Sequence, residues 1–348
     1  MFIQIHAIHS VPPSCINRDD VGAVKSAVYG GVRRHRVSSQ SWKRAMRTYV
    51  ADNGLGEIGT RTTALPGLIA DSLGGDFDRG EAVSAAAKVC TAAGLSTKKV
   101  SKDDGETHKT EVLAFVSPSE LDVLTDITRS VLGGEKVPSK KDVKARLDAV
   151  NVTPDIALFG RMVASEKGLN VDACAQVAHA ISTHESQPEL DFYTAVDDVT
   201  TDSEGGSGHM GTSEFTSSTL IRYASIDVDR LRDTIGADAA RSAVSAFITA
   251  FVRSMPAGKS TTFANTTLPD YVLIEYTDAP VSYVGAFEDP VRSRGNLVGS
   301  SIDALTSYRV RVGRMYGQNA EFIIASTTDD TSATLDDVAA WAGEHVTE

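Results

Sequence analysis

The sequence predicts an α+β fold, a strand-rich body interrupted by a mostly helical insertion. Three observations carry that expectation. Residues 2–8, "FIQIHAI", alternate as in a half-buried strand. From about 60 to 180 most apolar residues recur at helical spacing. From about 190 onward β-branched and aromatic runs flank a glycine-rich stretch, as in a long hairpin.

Taken in order, the first strand is expected to stop at Pro12-Pro13. "VSSQSWKRAMRTYV" reads as a helix, with Ser38 or Ser39 as N-cap and Trp42, Met46 and Tyr49 or Val50 facing inward. Further helices are expected over "EAVSAAAKVCTAA", over "SELDVLTDITRSVL" capped by Ser119, and over "SKKDVKARLDAV" capped by Ser139. "STKKVSKDDGETHKT" reads as a polar loop, and "VDACAQVAHAISTH" as another helix. "LDFYTAVDDV" and "EFTSSTLIRYASIDV" are the hairpin strands around "TTDSEGGSGHMGTS". One long helix near 228–254, one or two strands in "YVLIEYTDAPVSYVGAFE", and a terminal helix capped by Thr334 complete the layout.

Composition narrows the function. The 348 residues carry a formal charge of -12, yet eight Lys or Arg lie between 18 and 47. Only Asp19 and Asp20 oppose them, so that segment is +6 and the remainder -18; beyond Arg314 there is no Lys or Arg. This asymmetry predicts a localised anion site on a protein that otherwise repels polyanions. The odd, widely spaced cysteines 15, 90 and 174 form no CxxC pair, which argues against a disulfide framework or structural zinc. No apolar run approaches the roughly 20 residues of a membrane span. The first ten residues lack a basic leader region, and a cytoplasmic setting is expected.

Several motifs fail in context. Gly206–Gly211, "GSGHMG", spells G-x-G-x-x-G, but a strand-like run follows where a dinucleotide fold needs a helix. "AGKS" at 257–260 lacks the first P-loop glycine, that position being Arg253, though Lys259 could touch a phosphate. His179 and His184 are five apart on the expected helix and share no face as a metal pair would. Asp19-Asp20 and Asp197-Asp198 read as solvated acids before they read as magnesium ligands. No cofactor is expected.

The basic run "YGGVRRHRVSSQSWKRAMR" has no interleaved acids, begins beside Gly30-Gly31 and ends in a serine-capped helix. Glycines permit close approach of a phosphate, and a helix N-terminus offers free N–H groups. Arg33, Arg34, Arg36, Lys43, Arg44 and Arg47 would add salt-dependent attraction, and Ser38 and Gln40 polar contacts. On the residues alone a nucleic-acid backbone site and a solvated basic face stand about equal.

A set of blocks in constant order then resembles a known family. "SCINRDD" (14–20), "AVYGGVRRHRVSSQSWKRAMR" (27–47), "DIALFGRM" (155–162), "AHAISTH" (178–184), "DFYTAVDD" (191–198), "HMGTSEF" (209–215) and "RYASID" (222–227) look like CasC, the guide-RNA-binding backbone subunit of the type I-E CRISPR Cascade complex. The resemblance implies a modified RRM-like (ferredoxin-like) palm, residues 1–58 and 181–348. It also implies helical fingers inserted at 59–180 and a β-hairpin thumb at about 193–223. It implies a non-enzymatic scaffold that polymerises head-to-tail on CRISPR RNA and presents it in segments to target DNA. Its partners would be the large, small, guide-end-binding and RNA-processing Cascade subunits and a separate helicase-nuclease.

The family's guide contacts fall on Arg18, Lys25, Ser38, Gln40, Lys43, Arg44 and Arg47, with Met162 against the displaced-base region. His209 and Met210 belong to the thumb, Met210 as an apolar wedge. Lys140, Lys141 and Lys144 match a finger helix that holds target DNA, and equally suit a solvated helix face. Trp42 stands where the family pattern has an aliphatic residue, Phe159 where it has a smaller one, and the thumb tip is unusually acidic and long. A second reading is a metal-dependent ribonuclease using Asp19 or Asp20, as in related effectors that cut target RNA.

Overall fold

The computed structural model describes residues 1–102, 105–163, 166–195, 209–293, 295–318 and 320–346. In chain order the elements are β1 (Phe2–Ser14), β2 (Ser26–Tyr29), β3 (Val32–Val37), α1 (Ser39–Asp52), β4 (Thr60–Thr62), α2 (Leu65–Ser72), α3 (Arg79–Ala92), β5 (Thr97–Lys102), β6 (Gly105–Thr110), β7 (Ala114–Val116), α4 (Pro118–Leu132), α5 (Lys140–Leu147) and α6 (Pro154–Phe159). There follow β8 (Ala175–Val177), β9 (Ala180–Ser182), β10 (Glu189–Ala195), β11 (His209–Asp227), α7 (Val228–Ile235), α8 (Ala237–Arg253), α9 (Ser260–Phe263), β12 (Tyr271–Thr277), α10 (Leu297–Tyr316), β13 (Glu321–Ser326) and α11 (Leu335–Glu344). The chain forms two compact units, Met1–Asp52 with Gln176–Val228 and Val244–Glu348, and Asn53–Ala175 with Asp229–Ala243. The α+β fold expected from the sequence is the fold found.

The first unit is built on an antiparallel sheet of order β13-β12-β1-β11-β9-β3-β2, with β8 and β10 also pairing β11. β1 is buried on both faces, which is why nearly every residue from Ile3 to Ile8 is apolar or holds a buried hydrogen bond. It does not stop at Pro12-Pro13. Pairing with β11 runs from Phe2↔Asp227 to Ser14↔Thr216, and the register shifts between Val11 and Ser14. A proline lacks the ladder N–H, so the strand survives there only through that irregularity.

The polar residues of β1 are satisfied by distant partners. The Gln4 amide donates to Glu275 at 2.7 Å and accepts from Val281 N–H at 2.7 Å, while Glu275 takes Arg309 Nε at 2.6 Å. His6 Nε2 accepts from the Tyr283 amide at 3.1 Å, and its ring stacks on Tyr283 at 4.3 Å. His9 lies 3.1 Å from the guanidinium of Arg222, which is itself buried between Trp42 (3.7 Å) and Phe251 (4.4 Å). Trp42 is thus the ring on which a buried cation rests, a physical reason for an aromatic at this position.

These histidines predict acid lability. Burial pushes the imidazoles of His6 and His9 down to about 3 and that of His35 down to about 4. Folded pKa values below the unfolded value of about 6.5 mean that the unfolded chain binds protons first as pH falls. Their contribution is complete above about pH 6.5 and lost toward pH 3–4, at up to roughly 1.4 kcal/mol per pH unit for each histidine. The urea midpoint should therefore drop steeply between pH 7 and 5; a flat profile would refute the assignment.

The second unit packs α2, α3, α4 and α5 around Leu65, Ile69, Val89, Leu124, Ile127 and Val143. Four sequence expectations are corrected in it or at its border. The stretch at 97–110 is not a loop but the hairpin β5–β6, paired from Thr97↔Thr110 to Lys102↔Gly105. The two strands, TKKVSK and GETHKT, hold a single apolar residue, Val100, so no apolar alternation marks them in the sequence. α4 is capped by Ser117, not Ser119, in a capping box with Glu120 and with Pro118 at the first turn. The helix expected over "VDACAQVAHAISTH" is absent: β8 and β9 lie there, and β9 sits between β3 and β11 in the first unit's sheet. Tertiary pairing overrides the helical look of its alanines. Likewise the helix near 228–254 is two, α7 and α8, split where Gly236 adopts φ +83°.

Candidate nucleic-acid interface

The basic segment folds as a hairpin followed by a helix. β2 and β3 pair from Ser26↔His35 to Tyr29↔Val32, leaving Gly30 and Gly31 as a two-residue turn at φ +58° and +77°. That turn needs positive φ at both central residues, hence two glycines. A Cβ on Gly30 would stand 1.6 Å from the Glu288 carbonyl oxygen. The glycines therefore serve a tight turn and a close backbone contact.

The arginines of β3 divide by face. Arg33 is exposed. Arg34 is fully buried, donating from Nε to Tyr29 O (3.1 Å) and from its terminal nitrogens to Ser182 O (3.0 Å) and Phe287 O (2.8 Å). It ties three segments together and does not reach a surface ligand, which corrects its place among the RNA-binding candidates. Arg36 is half-buried, with Nε to Ser26 O at 3.3 Å and a terminal nitrogen 3.3 Å from His179 Nδ1.

Asn17 organises the rest, and sequence reasoning missed it. Its side chain accepts from Ser38 N–H at 2.8 Å, and its carbonyl accepts from Lys25 N–H at 3.1 Å. It so joins the Arg18 loop, Lys25 and the start of α1. Its only sequence signal was an Asx residue opening a loop. Ser38 occupies the N-cap position, its carbonyl accepting from Ser41 (3.0 Å) and Trp42 (3.2 Å). It is 1% exposed, so its hydroxyl is not on the surface where a guide contact would need it.

Helix α1 then sorts its side chains at 100° per residue. Trp42 and Met46 are buried. Gln40, Lys43 and Arg47 fall within a sector of roughly 60° on another side, and Arg44 lies on the far edge of Gln40. Gln40 and Arg44 are exposed, Lys43 and Arg47 half-buried. Arg18 is exposed, bridged to Val24, and Lys25 is half-buried where Arg36 N–H reaches its carbonyl at 2.9 Å. The Asp19 carboxylate accepts Val21 and Ala23 N–H at 3.1 and 2.8 Å, so it shapes this loop. Among the described residues no three His, Cys, Asp or Glu side chains are grouped to hold a metal.

In the second unit Met162 is 84% exposed. Its neighbours are pinned: Arg161 pairs with Val171 through both backbone bonds at 2.9 Å, and Val163 N–H donates to Asn170 at 2.6 Å. The Arg161 guanidinium is buried on Glu120 (2.7 Å) and the carbonyls of Phe115 and Leu169. On α5, Lys140 pairs with Glu166 and Lys144 with Asp148 at 2.5 Å, while Lys141 is exposed. Two of the three candidate DNA contacts therefore already have carboxylate partners. His209 and Met210 open β11 opposite Ala195 and Thr194, but their side chains, and the tip with Asp197, Asp198, Gly206 and Gly208, lie outside the described residues.

The model of one protein family, described as CT1975-like protein (Cas), matches residues 3–345. The chain belongs to the CT1975-like family. This CT1975-like chain also aligns over 100% of its length with solved chains. A chain from a structure described as "CRISPR RNA-guided surveillance complex, pre-nicking" is 34% identical, covered over 99% of its length, with a TM-score of 0.87. Another, from a "CRISPR RNA-guided surveillance complex", is 28% identical, again covered over 99%, with a TM-score of 0.76. No curated protein matches. The likeness read from the sequence blocks is thus met at the level of a CT1975-like Cas protein similar to subunits of such complexes. No described helix of this CT1975-like chain is long and apolar enough to cross a membrane.

Proposed function

We propose that this protein is a non-enzymatic scaffold subunit that binds CRISPR guide RNA in a type I-E Cascade complex. One observation carries the reading. In a chain of charge -12, Arg18, Lys25, Arg36 and the Gln40–Lys43–Arg47 flank of α1 are gathered by Asn17 and the β2–β3 hairpin. Full-length similarity to chains of CRISPR RNA-guided complexes supports it. Lys and Arg grip phosphates without reading bases, leaving sequence to guide–target pairing. Copies would stack head-to-tail on the guide, with the β10–β11 hairpin as thumb and exposed Met162 against a displaced base, presenting the guide in segments to target DNA. The other Cascade subunits and a separate helicase-nuclease would be its partners, in the cytoplasm.

The purified protein is expected to carry RNA of one discrete length, seen as a high 260/280 nm ratio and a single gel band. Protein that assembles free of RNA would refute the reading. Adding complementary RNA and Mg²⁺ should give no cleavage. Evenly spaced cuts abolished by Asp19→Ala or Asp20→Ala would establish the ribonuclease alternative instead.

A further inference from the structure

The flank of α1 that carries Ser41, Ala45, Thr48 and Tyr49 faces neither the core nor the Lys43–Arg47 side. It looks across a cavity of about 460 Å³ to the segment 253–266. Arg44, on α1, and Arg253, at the end of α8, both line that cavity. Both are exposed, and neither makes an ion pair among the described residues.

The far wall is polar and unsatisfied. Ser254 is 4% exposed and Asn265 1%, yet the Ser254 hydroxyl and the Asn265 amide nitrogen have no hydrogen-bond partner. Leaving such buried groups unmade costs about 1–3 kcal/mol each. The wall is also stiff. Lys259 and Ala264 both hold φ +48°, bracketing the single turn of α9, and a Cβ on Gly258 would stand 2.4 Å from Ile16 O. Non-glycine residues in that region carry strain, which persists where the surroundings impose it. Met255 and Tyr49 supply the apolar and aromatic surface.

An aromatic ring, a buried amide with a free donor, a hydroxyl and two unpaired guanidinium groups are the chemistry of an unstacked nucleotide. We propose that this cavity takes one nucleotide of the bound RNA. The base lies against Tyr49 and Met255, the buried Asn265 and Ser254 side chains rotate toward its edge to gain the partners they lack, and the phosphate lies between Arg44 and Arg253. Asp52, also on the cavity, would face an exocyclic amine before a phosphate. The proposal rests on the guide-RNA reading, because a strand gripped by Lys43 and Arg47 passes within about one helix diameter, 10 Å, of this cavity. It reassigns Arg44 from the guide-backbone flank to a separate subsite.

The test is ultraviolet cross-linking of the RNA-bearing complex, with nucleotide–peptide adducts mapped by mass spectrometry. Adducts on Tyr49 or Met255 are expected. They should fall roughly tenfold, the equivalent of about 1.4 kcal/mol, in Asn265→Leu and in Arg253→Glu, while RNA content and length stay unchanged. Arg253→Glu changes an exposed residue and keeps the test valid if Asn265→Leu fails to fold. Adducts elsewhere but none on Tyr49 or Met255, adducts unchanged in Arg253→Glu, or a peptide of a neighbouring copy cross-linked into the cavity would overturn the proposal and leave RNA binding standing. A complex with no RNA would overturn both.

Discussion

Replacing Lys43 and Arg47 together with glutamate is expected to yield protein stripped of guide RNA and unable to assemble. Both residues share one flank of α1 with Gln40, and neither belongs to the buried side set by Trp42 and Met46. Alanine at both positions is the milder and more informative change. If each neutralises one phosphate, the slope of log affinity against log salt should flatten by roughly 1.4, at about 0.7 per phosphate on a single strand. Filter binding of a guide-length RNA between 50 and 300 mM salt, as order-of-magnitude limits of the useful range, measures it. A slope unchanged from the parent protein would remove α1 from the interface.

Arg34→Ala should fail for a different reason. Removing that side chain strands the carbonyls of Tyr29, Ser182 and Phe287, which it now caps. At about 1–3 kcal/mol for each of the three buried acceptors left unmade, the loss is on the order of 3–9 kcal/mol. That is comparable with the whole stability of a marginal domain, about 5–15 kcal/mol. Lysine cannot rescue it, because one ammonium does not span three acceptors in a planar fork. Arg33→Ala, one residue away and exposed, should stay within about 0.5 kcal/mol of the parent. Urea unfolding of the two variants side by side decides the matter. Equal midpoints would mean that the buried arginine holds nothing together.

That contrast shows what the sequence could and could not reveal. In "VRRHRV" every second residue should share a face, but three arginines and a histidine offer no polarity difference to say which face is inward. The answer depends on carbonyls 148 and 253 residues away. Asn17 was invisible for a similar reason, since its partner is Ser38. By contrast α1 was legible, because Trp42 and Met46 alternate with basic residues at the helical period. The caps Ser139 and Thr334 were legible for the same local reason. β8 and β9 were not, being short and alanine-rich and held only by strands from elsewhere in the chain. The pocket beside α1 could not be read at all: its two walls are about 200 residues apart and its polar groups are ordinary letters until their burial is known.

β11 runs unbroken from His209 to Asp227, pairing β10 in its first part and β1 in its second. Hairpin and sheet are therefore one piece of backbone, with no hinge loop between them on that side. Such a strand behaves as a measuring rod with a fixed graduation, advancing about 3.3 Å per residue and turning its side chains over at every step. Its length can change over evolutionary time only in particular ways. An insertion in β11 must be matched in β10 and come in pairs, or be absorbed in a bulge like the irregularity opposite Val11–Ser14 of β1, or every outward residue beyond it turns inward. Homologues with longer or shorter bulge-free hairpins should accordingly differ by even numbers on both strands, and the reach of the hairpin should vary in increments of about 6–7 Å.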